Sequence, residues 1–283
     1  LKRTAMRPEP MVAAGLRFIR RARPDGYDYF VVNHSNKAID AVPLAVPFKS
    51  ALIMDPRFDN RSGVVLSNNA NTGQTATSPD IALTIQPNES YFIRTYTDRI
   101  VTGQGWQNFH DVQPAVPLAG TWSVSFIDGG PVLPKPYSVD KLASWTTAPD
   151  AEARRFAGTA KYTLQFTLPA QRDARSGIDR LDLGKVADSA RVTLNGKLLG
   201  TLWAPPYQFD LPALPGNNVL EIEVTNVAAN RIRDMDQRGV QWKIFRDANV
   251  LSTAYTAFDA SNWPIRDAGL LGPVTITQMA INR

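Results

Sequence analysis

The stretch that decides the fold is "RVTLNGKLLGTLWAPPYQFDL", residues 191–211. In its first half, apolar and polar residues alternate around Asn195-Gly196, the pair that suits a type I′ turn, and this pattern predicts a β-hairpin. In its second half, Trp203 and Tyr207 flank two prolines, which cannot donate hydrogen bonds to a sheet. We interpret the second half as a corner between two sheets. Two roles stay open for its aromatic residues: they brace the corner or form a binding surface.

Strand patterns of the same kind extend in both directions from this stretch. Period-two alternation of apolar and polar residues dominates the chain and predicts an all-β fold with two β-sandwich domains. Prolines and small residues interrupt the pattern at 111–120. We therefore expect a small antiparallel β-sandwich over 1–115 and a jelly roll over 116–283. The strand rhythm breaks again at 228–261, where we expect a short helix.

Length and composition exclude several classes of protein. The 283 residues are 43% hydrophobic and 20% charged, as in soluble globular proteins. No apolar run approaches the roughly 18 residues that a membrane span needs. The net charge of +5 comes from 13 basic against 10 acidic residues in the first part and 18 against 16 in the second. Such an even spread predicts no nucleic-acid partner. Because the chain begins at Leu1 without a signal pattern, we expect it to be a piece of a longer protein.

Few residues in the chain suit nucleophilic or redox chemistry. There is no cysteine, which excludes disulfides and thiolate chemistry. The sequence has only two histidines, His34 and His110, so a histidine metal cluster is not expected. We interpret them as surface or structural residues. Glycine-rich phosphate loops are also absent from the sequence.

The acidic residues do not form a recognisable catalytic pair. Glu221 and Glu223 are two apart on a predicted strand, so they share the solvent-facing side of a half-buried sheet. Asp234 and Asp236 lie among arginines, where surface ion pairing explains them as well as a functional role does. Asp128 precedes two glycines in a turn-like sequence, but one acidic residue does not make a calcium site.

Aromatic residues suggest a binding surface in the second half. Flat aromatic rings favour the C–H faces of sugars, while Asn, Asp and Arg provide hydrogen bonds to hydroxyl groups. Such polar groups occur in "NVAANR" (226–231) and "FDASNWPIRD" (258–267). In the alternative interpretation, the aromatic residues close the ends of the sandwich. The residues in question are Trp203, Tyr207, Trp242, Tyr255, Phe258 and Trp263.

An ordered series of motifs runs through residues 158–279. It consists of "FAGTAKYTLQFTLP", "LDLGKVADSARVTLNGKLLGTLWAPPYQFDL", "NVLEIEVTNVAANR" and "GLLGPVTI". This series resembles the galactose-binding-like, sugar-binding jelly roll that accompanies family 2 glycoside hydrolases. The form Trp-Ala-Pro-Pro-Tyr and the earlier stretch "GLRFIRRARPDGYDYFVVNHSNKAID" resemble the C-terminal part of family 106 glycoside hydrolases, the α-L-rhamnosidases.

The rhamnosidase resemblance implies a parent enzyme with an N-terminal (β/α)₈ catalytic domain, a calcium ion and inverting chemistry on rhamnosides. It also implies a periplasmic or secreted location. This sequence lacks the alternating β and α pattern of such a barrel, so no catalytic residue is assigned to it and no cofactor is expected in this segment. The expected partners are carbohydrate and the catalytic domain of the parent chain.

The family 2 resemblance implies candidates for sugar contact. In that family, a loop just before the last strand of the jelly roll can reach the catalytic pocket, and the similarly placed stretch here is 258–274. By this resemblance, Asp259 and Asn262 would bond to hydroxyl groups and Trp263 would stack on a sugar ring. The other candidates for sugar contact are Asn230, Arg231, Trp203 and Tyr207.

Three hypotheses follow from the sequence. In the preferred one, the chain is an ancillary β module of a glycoside hydrolase, an α-L-rhamnosidase, that packs against the catalytic domain and contributes to the substrate cleft. In the second, it is an autonomous carbohydrate-binding module or lectin. In the third, it is purely structural, and its aromatic residues are buried against another domain.

Overall fold

The computed structural model describes residues 8–58, 61–67, 80–169, 173, 177–214, 216–243 and 258–281. The chain divides into two compact units: unit 1 is Leu1–Asp111 with Met279–Arg283, and unit 2 is Val112–Gln278. Strands dominate both units, which confirms the all-β sandwich fold. Among the described residues, no helix has the length and apolar character needed to cross a membrane.

Unit 1 is built on one antiparallel sheet. Its strand order is β1-β2-β7-β4-β5, and the short strands β3 and β6 pair separately. Strand β8 pairs with residues 279–281 at the end of the chain. The strands are β1 (Leu16–Arg23), β2 (Gly26–Asn33), β3 (Val42–Pro43), β4 (Ser50–Met54), β5 (Ser62–Leu66), β6 (Asp80–Ile81), β7 (Ser90–Tyr96) and β8 (Phe109–Asp111), and the 3₁₀ helix Pro10–Val12 precedes them.

The sequence of β2 explains its place as an inner strand of this sheet. Alternate residues point into the core, where Tyr29 and Val31 are fully buried. Its first residue, Gly26, lies so close to β7 that an added Cβ would be 2.0 Å from the Thr95 carbonyl oxygen. Only glycine permits this approach, so the turn between β1 and β2 depends on Gly26.

A buried carboxylate connects the N-terminal segment of unit 1 to its sheet. Glu9 is almost fully buried, and its Oε1 accepts a hydrogen bond from the Tyr29 hydroxyl at 3.0 Å. Its Oε2 accepts one from the Ala45 backbone N–H at 2.8 Å, and the Arg20 guanidinium pairs with the same carboxylate. The charge of Glu9 is therefore satisfied by protein groups.

A second set of charged groups is buried in unit 1. The Arg57 side chain is 8% exposed and lies 2.9 Å from Asp55 Oδ2 and 3.1 Å from Glu89 Oε1. The backbone N–H of Gln86 donates to Glu89 Oε2 at 2.8 Å. Because a buried charge is costly unless it is paired and hydrogen-bonded, these contacts are a condition for folding in this part of the chain.

Unit 2 is built on a large antiparallel sheet with the order β11-β10-β12-β18-β15-β16 and a second sheet with the order β17-β13-β20. Strand β9 pairs with β20, and β14 pairs with β19. The strands are β9 (Val116–Pro117), β10 (Trp122–Gly130), β11 (Tyr137–Val139), β12 (Ala157–Leu168), β13 (Ile178–Asp182), β14 (Lys185–Ala187), β15 (Ser189–Leu194), β16 (Lys197–Leu202), β17 (Gln208–Pro212), β18 (Gly216–Thr225), β19 (Gly269–Gly272) and β20 (Thr275–Ile281). The helices are the 3₁₀ helix Trp145–Thr147, α1 (Ala151–Arg154) and α2 (Ala229–Gln237).

The faces of the large sheet follow the alternation in its sequence. Leu220, Ile222 and Val224 of β18 are fully buried. On the opposite face, Glu221 lies 3.1 Å from Lys161 and Glu223 lies 3.2 Å from Arg191. These two glutamates therefore form cross-strand ion pairs on the outer side of the sheet, as expected for a half-buried strand.

The hairpin of the opening stretch joins β15 to β16. Asn195 and Gly196 have φ angles of 51° and 75°, the left-handed values that a type I′ turn requires. The Asn195 side chain also accepts the Val219 backbone N–H at 2.8 Å. After β16 the chain leaves the large sheet through residues 203–207 and enters the second sheet as β17. The Pro-Pro sequence thus forms the predicted corner.

The break in strand rhythm contains the expected helix, α2. The segment 258–268 returns beside it, whereas 244–257, including Tyr255, lies outside the described residues. Asp128 is exposed at a register shift of β10. Within the described parts of the chain, no three His, Asp or Glu residues lie together where they could hold a metal ion.

Candidate functional site

Helix α2 and the segment 258–268 form one surface, which we call the α2 surface. Asn230 lies in the first turn of α2 and is buried. Its Nδ2 donates to the Arg266 carbonyl oxygen at 2.7 Å, and its Oδ1 accepts the Arg266 backbone N–H at 2.9 Å. Both ends of the amide are used, so Asn230, a predicted sugar contact, fixes the returning segment to the helix.

Two more side chains of α2 hold the same segment. Arg233 Nε donates to the Trp263 carbonyl oxygen at 2.7 Å, and Gln237 Nε2 donates to the Ser261 carbonyl oxygen at 2.9 Å. Arg233 Nη1 also donates to Gln237 Oε1 at 2.9 Å. The backbone that carries Trp263 is therefore fixed from one side by the helix.

Three aromatic side chains pack edge to face on this surface. The ring centroids of Phe258 and Trp263 are 5.5 Å apart at 90°, and those of Trp242 and Phe258 are 6.1 Å apart at 85°. Lys243 Nζ lies 5.3 Å from the Phe258 centroid. Phe258 remains 46% exposed and Trp263 38% exposed. The cluster thus offers apolar ring surface to a ligand while its members fix one another.

Asp236 stabilises this aromatic cluster. Its Oδ2 accepts the Ala260 backbone N–H at 2.8 Å, and its Oδ1 accepts Trp242 Nε1–H at 2.7 Å. Lys243 Nζ lies 3.2 Å from Oδ1. The hydrogen bond from Ala260 is the main cause that lowers the pKa of the Asp236 carboxyl, and Trp242 and Lys243 lower it further against desolvation. Asp236 is therefore ionised at neutral pH and joins α2 to both flanks of the cluster.

Asp259 and Asn262, two predicted sugar contacts, are exposed next to Trp263. Asp259 accepts the Ser261 backbone N–H at 2.8 Å and the Ser261 hydroxyl at 3.0 Å. These bonds lower the pKa of the Asp259 carboxyl, so it too is ionised at neutral pH. Within the described chain, no hydrogen bond engages the Asn262 side chain, and its amide is available to a ligand.

Arg231, another predicted contact, is involved in ion pairing. Its Nη1 lies 3.5 Å from Asp234 Oδ2, and Arg238 Nη2 lies 2.6 Å from the same oxygen. Arg155 Nη1 lies 4.0 Å from Asp234 Oδ1. The Asp234 carboxylate is thus shared among arginines, as surface ion pairing predicts.

A polar cleft of about 260 Å³ lies on the α1-facing side of α2, and we call it the arginine cleft. The sequence prediction missed its arginine walls because they come from α1 and α2, far apart in the chain. The only signal was the pair Arg154-Arg155 in "AEARRFAG". Its polar and charged lining consists of Thr146, Arg154, Arg155, Asn230, Arg233, Asp234 and Gln237.

The remaining predicted contacts, Trp203 and Tyr207, occupy the corner after β16. Tyr207 is largely buried, and its hydroxyl donates to the Asp188 carbonyl oxygen at 2.6 Å. Trp203 is 63% exposed. Tyr207 therefore braces the corner, whereas the Trp203 indole is free to meet a ligand or another domain.

A larger cleft of about 640 Å³ lies beside β11. Its walls include Tyr137 and Tyr162, and the Tyr162 hydroxyl accepts the Leu270 backbone N–H at 3.2 Å. Burial raises the pKa of both tyrosines, so their hydroxyls stay neutral. None of the predicted sugar contacts lines this cleft. The sequence did not predict it, because its mostly apolar wall contains no recognisable motif.

Comparison with known proteins finds relatives among glycoside hydrolases. No family model matches the chain. Over 183 residues, 58% of this chain and 16% of the relative, it is 34% identical to a protein of Formosa agariphila named "Putative beta-glucuronidase". Its fold matches part of a rhamnosidase from Novosphingobium sp. PP1Y with a TM-score of 0.61 and 24% identity, over 93% of this chain and 24% of that one. The chain thus spans about a quarter or less of either protein. It is similar to a segment of a protein named as a glycoside hydrolase, and its fold occurs within a rhamnosidase.

Proposed function

We propose that the chain is an ancillary carbohydrate-binding β module of a glycoside hydrolase, with an α-L-rhamnosidase as the parent enzyme. The observation that carries the proposal is the aromatic cluster of half-buried Trp242 with exposed Phe258 and Trp263, fixed by α2 beside Asp259 and Asn262. An exposed ring next to a carboxylate and a free amide is the combination that recognises a sugar, which presents an apolar face and hydroxyl groups together.

The fixed backbone of the α2 surface supports this role. Asn230, Arg233 and Gln237 hold three points of the segment 258–268 before any ligand arrives. A surface ordered in advance loses less conformational entropy when it binds. A shallow sugar site, which gains little from each contact, benefits from such order.

The finer parts of the proposal come from the sequence resemblance. In it, unit 2 is a galactose-binding-like jelly roll of the family 2 type, and the chain is a C-terminal region of a family 106 enzyme. The catalytic domain, and the calcium ion implied with it, belong to the rest of the parent chain, which works in the periplasm or outside the cell. The named relatives support the general link to glycoside hydrolases.

Calorimetric titration of residues 1–283 with rhamnose-containing oligosaccharides tests the proposal. We expect saturable binding that weakens by up to about tenfold in Trp263→Ala, since loss of an aromatic stacking contact costs roughly 0.5–1.5 kcal/mol. Trp203→Ala removes an equally large exposed indole at the corner and should leave the affinity within about twofold. Loss of binding in Trp203→Ala alone would move the site to the corner and overturn the assignment to the α2 surface.

A second function is favoured by one observation. Ile265 and Phe258 are large, apolar and exposed on the same segment, which suits packing against another domain. If none of the oligosaccharides binds to residues 1–283, and the same segment becomes protected from solvent in the full-length parent, the packing role replaces sugar binding. In both cases we expect no turnover of an aryl α-L-rhamnoside by residues 1–283 alone.

A further inference from the structure

We propose that the arginine cleft binds the anionic substituent of an acidic glycan, a carboxylate or a sulfate ester. This inference rests on the proposed function, because it names the class of sugar that the α2 surface takes. The cleft is lined by three arginines and one carboxylate, so the charge of its lining is +2.

Two of the arginines have no acidic partner. Among the described residues, no carboxylate oxygen lies within 4.0 Å of the Arg154 or the Arg233 guanidinium. Arg154 uses only Nη1, which donates to the carbonyl oxygens of Ala148 and Pro149 at 3.2 Å each. Arg233 uses Nε and Nη1 and keeps Nη2 unengaged. Each guanidinium therefore has N–H groups left for a ligand.

The other charged groups of the cleft already have partners of opposite charge. Arg155 Nε donates to Glu152 Oε2 at 3.0 Å, and a second bond joins the same two side chains. The Asp234 carboxylate forms ion pairs with Arg231 and Arg238. The uncompensated positive charge consequently lies on Arg154, from α1, and Arg233, from α2.

The chemistry of these groups selects an oxyanion. A guanidinium is always charged, and its planar N–H groups match the two oxygens of a carboxylate or a sulfate better than they match a single hydroxyl. The bonds to backbone carbonyls hold both arginines in place. A neutral sugar would leave the charge uncompensated, so an acidic sugar gains more from this cleft.

The size and place of the cleft fit one sugar residue. Its volume of about 260 Å³ is below the roughly 300–1,000 Å³ of most drug-sized ligand pockets. Arg233 bonds to the backbone of Trp263, so the cleft adjoins the residue on which a neighbouring sugar would stack. The cleft therefore takes the charged unit, and the aromatic cluster takes an adjacent unit of the same chain.

Titration of residues 1–283 with four probes tests the inference: methyl β-D-glucuronide, its uncharged methyl ester, methyl glucoside 6-sulfate and a neutral rhamnose-containing oligosaccharide. We expect one or both anionic probes to bind at least about tenfold more tightly than the ester, with an advantage that shrinks as salt rises. A preference for the glucuronide identifies a carboxylate as the natural group, and a preference for the sulfate identifies a sulfate ester. Equal affinity for the charged probes and the ester, or no binding of either charged probe, overturns the inference.

Substitutions of individual arginines test whether the anionic probe binds in the arginine cleft. Arg154→Gln should weaken the preferred anionic probe by about tenfold, the value of one charge-assisted contact, and leave the neutral oligosaccharide within about threefold. Arg233→Gln should weaken the anionic probe by about tenfold as well, and it should also weaken the neutral oligosaccharide because Arg233 holds the backbone of Trp263. Arg191→Gln removes the same charge from the outer face of the large sheet and should change neither. Equal weakening in all three variants would mean a general charge effect and would overturn the site. If the neutral oligosaccharide binds and the anionic advantage is absent, only this inference fails; if no sugar binds, the proposed function fails as well.

Discussion

Arg57 of unit 1 differs from Arg154 and Arg233 of unit 2 in its burial and in its hydrogen-bond partners. Arg57 in unit 1 has an almost fully buried side chain and contacts Asp55 and Glu89. Arg154 and Arg233 in unit 2 line an open cleft and bond to carbonyl and amide oxygens instead of carboxylates. The charge of Arg57 is neutralised inside the fold. The charges of Arg154 and Arg233 have no carboxylate partner among the described residues.

This difference shows why net charge is a poor guide to binding. The two parts of the sequence have similar small excesses of basic residues, yet Arg57 is paired with two carboxylates whereas Arg154 and Arg233 share a cleft in which neither contacts one. What matters is whether each charge is neutralised locally, because an ion pair satisfied within the protein attracts little further charge. Stability measurements on unit 1 test whether Arg57 is needed for folding, and binding measurements on unit 2 test whether Arg154 and Arg233 contact a ligand.

The largest effect is expected for Arg57→Leu. Removing the guanidinium leaves Asp55 and Glu89 buried without their partner, and breaking a buried pair in this way costs about 3–5 kcal/mol. Urea denaturation followed by circular dichroism should show unit 1 unfolding at a much lower concentration. Arg99→Leu is the matched control, since its pair with Asp25 is exposed and should be worth about 1 kcal/mol or less. Equal losses in the two variants would contradict the structural role of Arg57.

Glu9→Gln should have the next largest effect. The change keeps the size of the side chain but removes the charge that pairs with Arg20 and one of the oxygens that accept from Tyr29 and Ala45. Hydrogen bonds to charged groups contribute about 1.5–3 kcal/mol, so the free energy of unfolding should fall by that amount. Asp98→Asn, at an exposed pair of the same unit, should stay within about 0.5 kcal/mol. A loss no larger than that of the control would show that Glu9 does not connect the N-terminal segment to the sheet.

Local rules predicted most of the fold and little of the site. The turn at Asn195-Gly196 and the corner at Pro205-Pro206 follow from backbone preferences of a few adjacent residues, and the structure has both. The arginine cleft instead depends on Arg154 of α1 and Arg233 of α2 lining the same cleft although they are far apart in the sequence, which no local pattern specifies. One residue of the aromatic cluster, Trp263, was predicted from the sequence, because it lies in the loop that the family 2 resemblance indicated.

The burial of Tyr207 could not be predicted for the same reason. Its sequence neighbours are two prolines and a strand, which suit an exposed aromatic as well as a buried one. Its place is decided by the Asp188 carbonyl oxygen, which lies in another loop and accepts its hydroxyl. Partners distant in the sequence decide which aromatic residues brace the fold and which remain exposed.

Acid should disturb the α2 surface through Asp236. Because hydrogen bonds lower its folded-state pKa from 3.8, its contribution to stability is present above pH 3.8 and is lost as the pH falls below that value through the folded pKa. Tryptophan fluorescence from pH 7 to pH 2 should report a transition on the acid side of 3.8 as Trp242 loses its acceptor. In Asp236→Asn this component should be absent. An identical acid transition in both proteins would assign it to other carboxylates.

The smallest effect on stability is expected for Arg154→Gln, and it separates the two situations most directly. Arg154 is exposed and donates only to the carbonyl oxygens of Ala148 and Pro149, so the free energy of unfolding should change by no more than about 0.5 kcal/mol. A bound anionic sugar at 100 times the dissociation constant should stabilise the unaltered chain by about 2.7 kcal/mol, and the tenfold weaker binding of the variant should reduce this to about 1.4 kcal/mol at the same ligand concentration. Thermal unfolding with and without the preferred anionic probe measures both quantities in one experiment. A large loss of stability without ligand would make Arg154 a structural residue like Arg57, whereas a stable protein with about half the response to the ligand would establish that this charge serves binding.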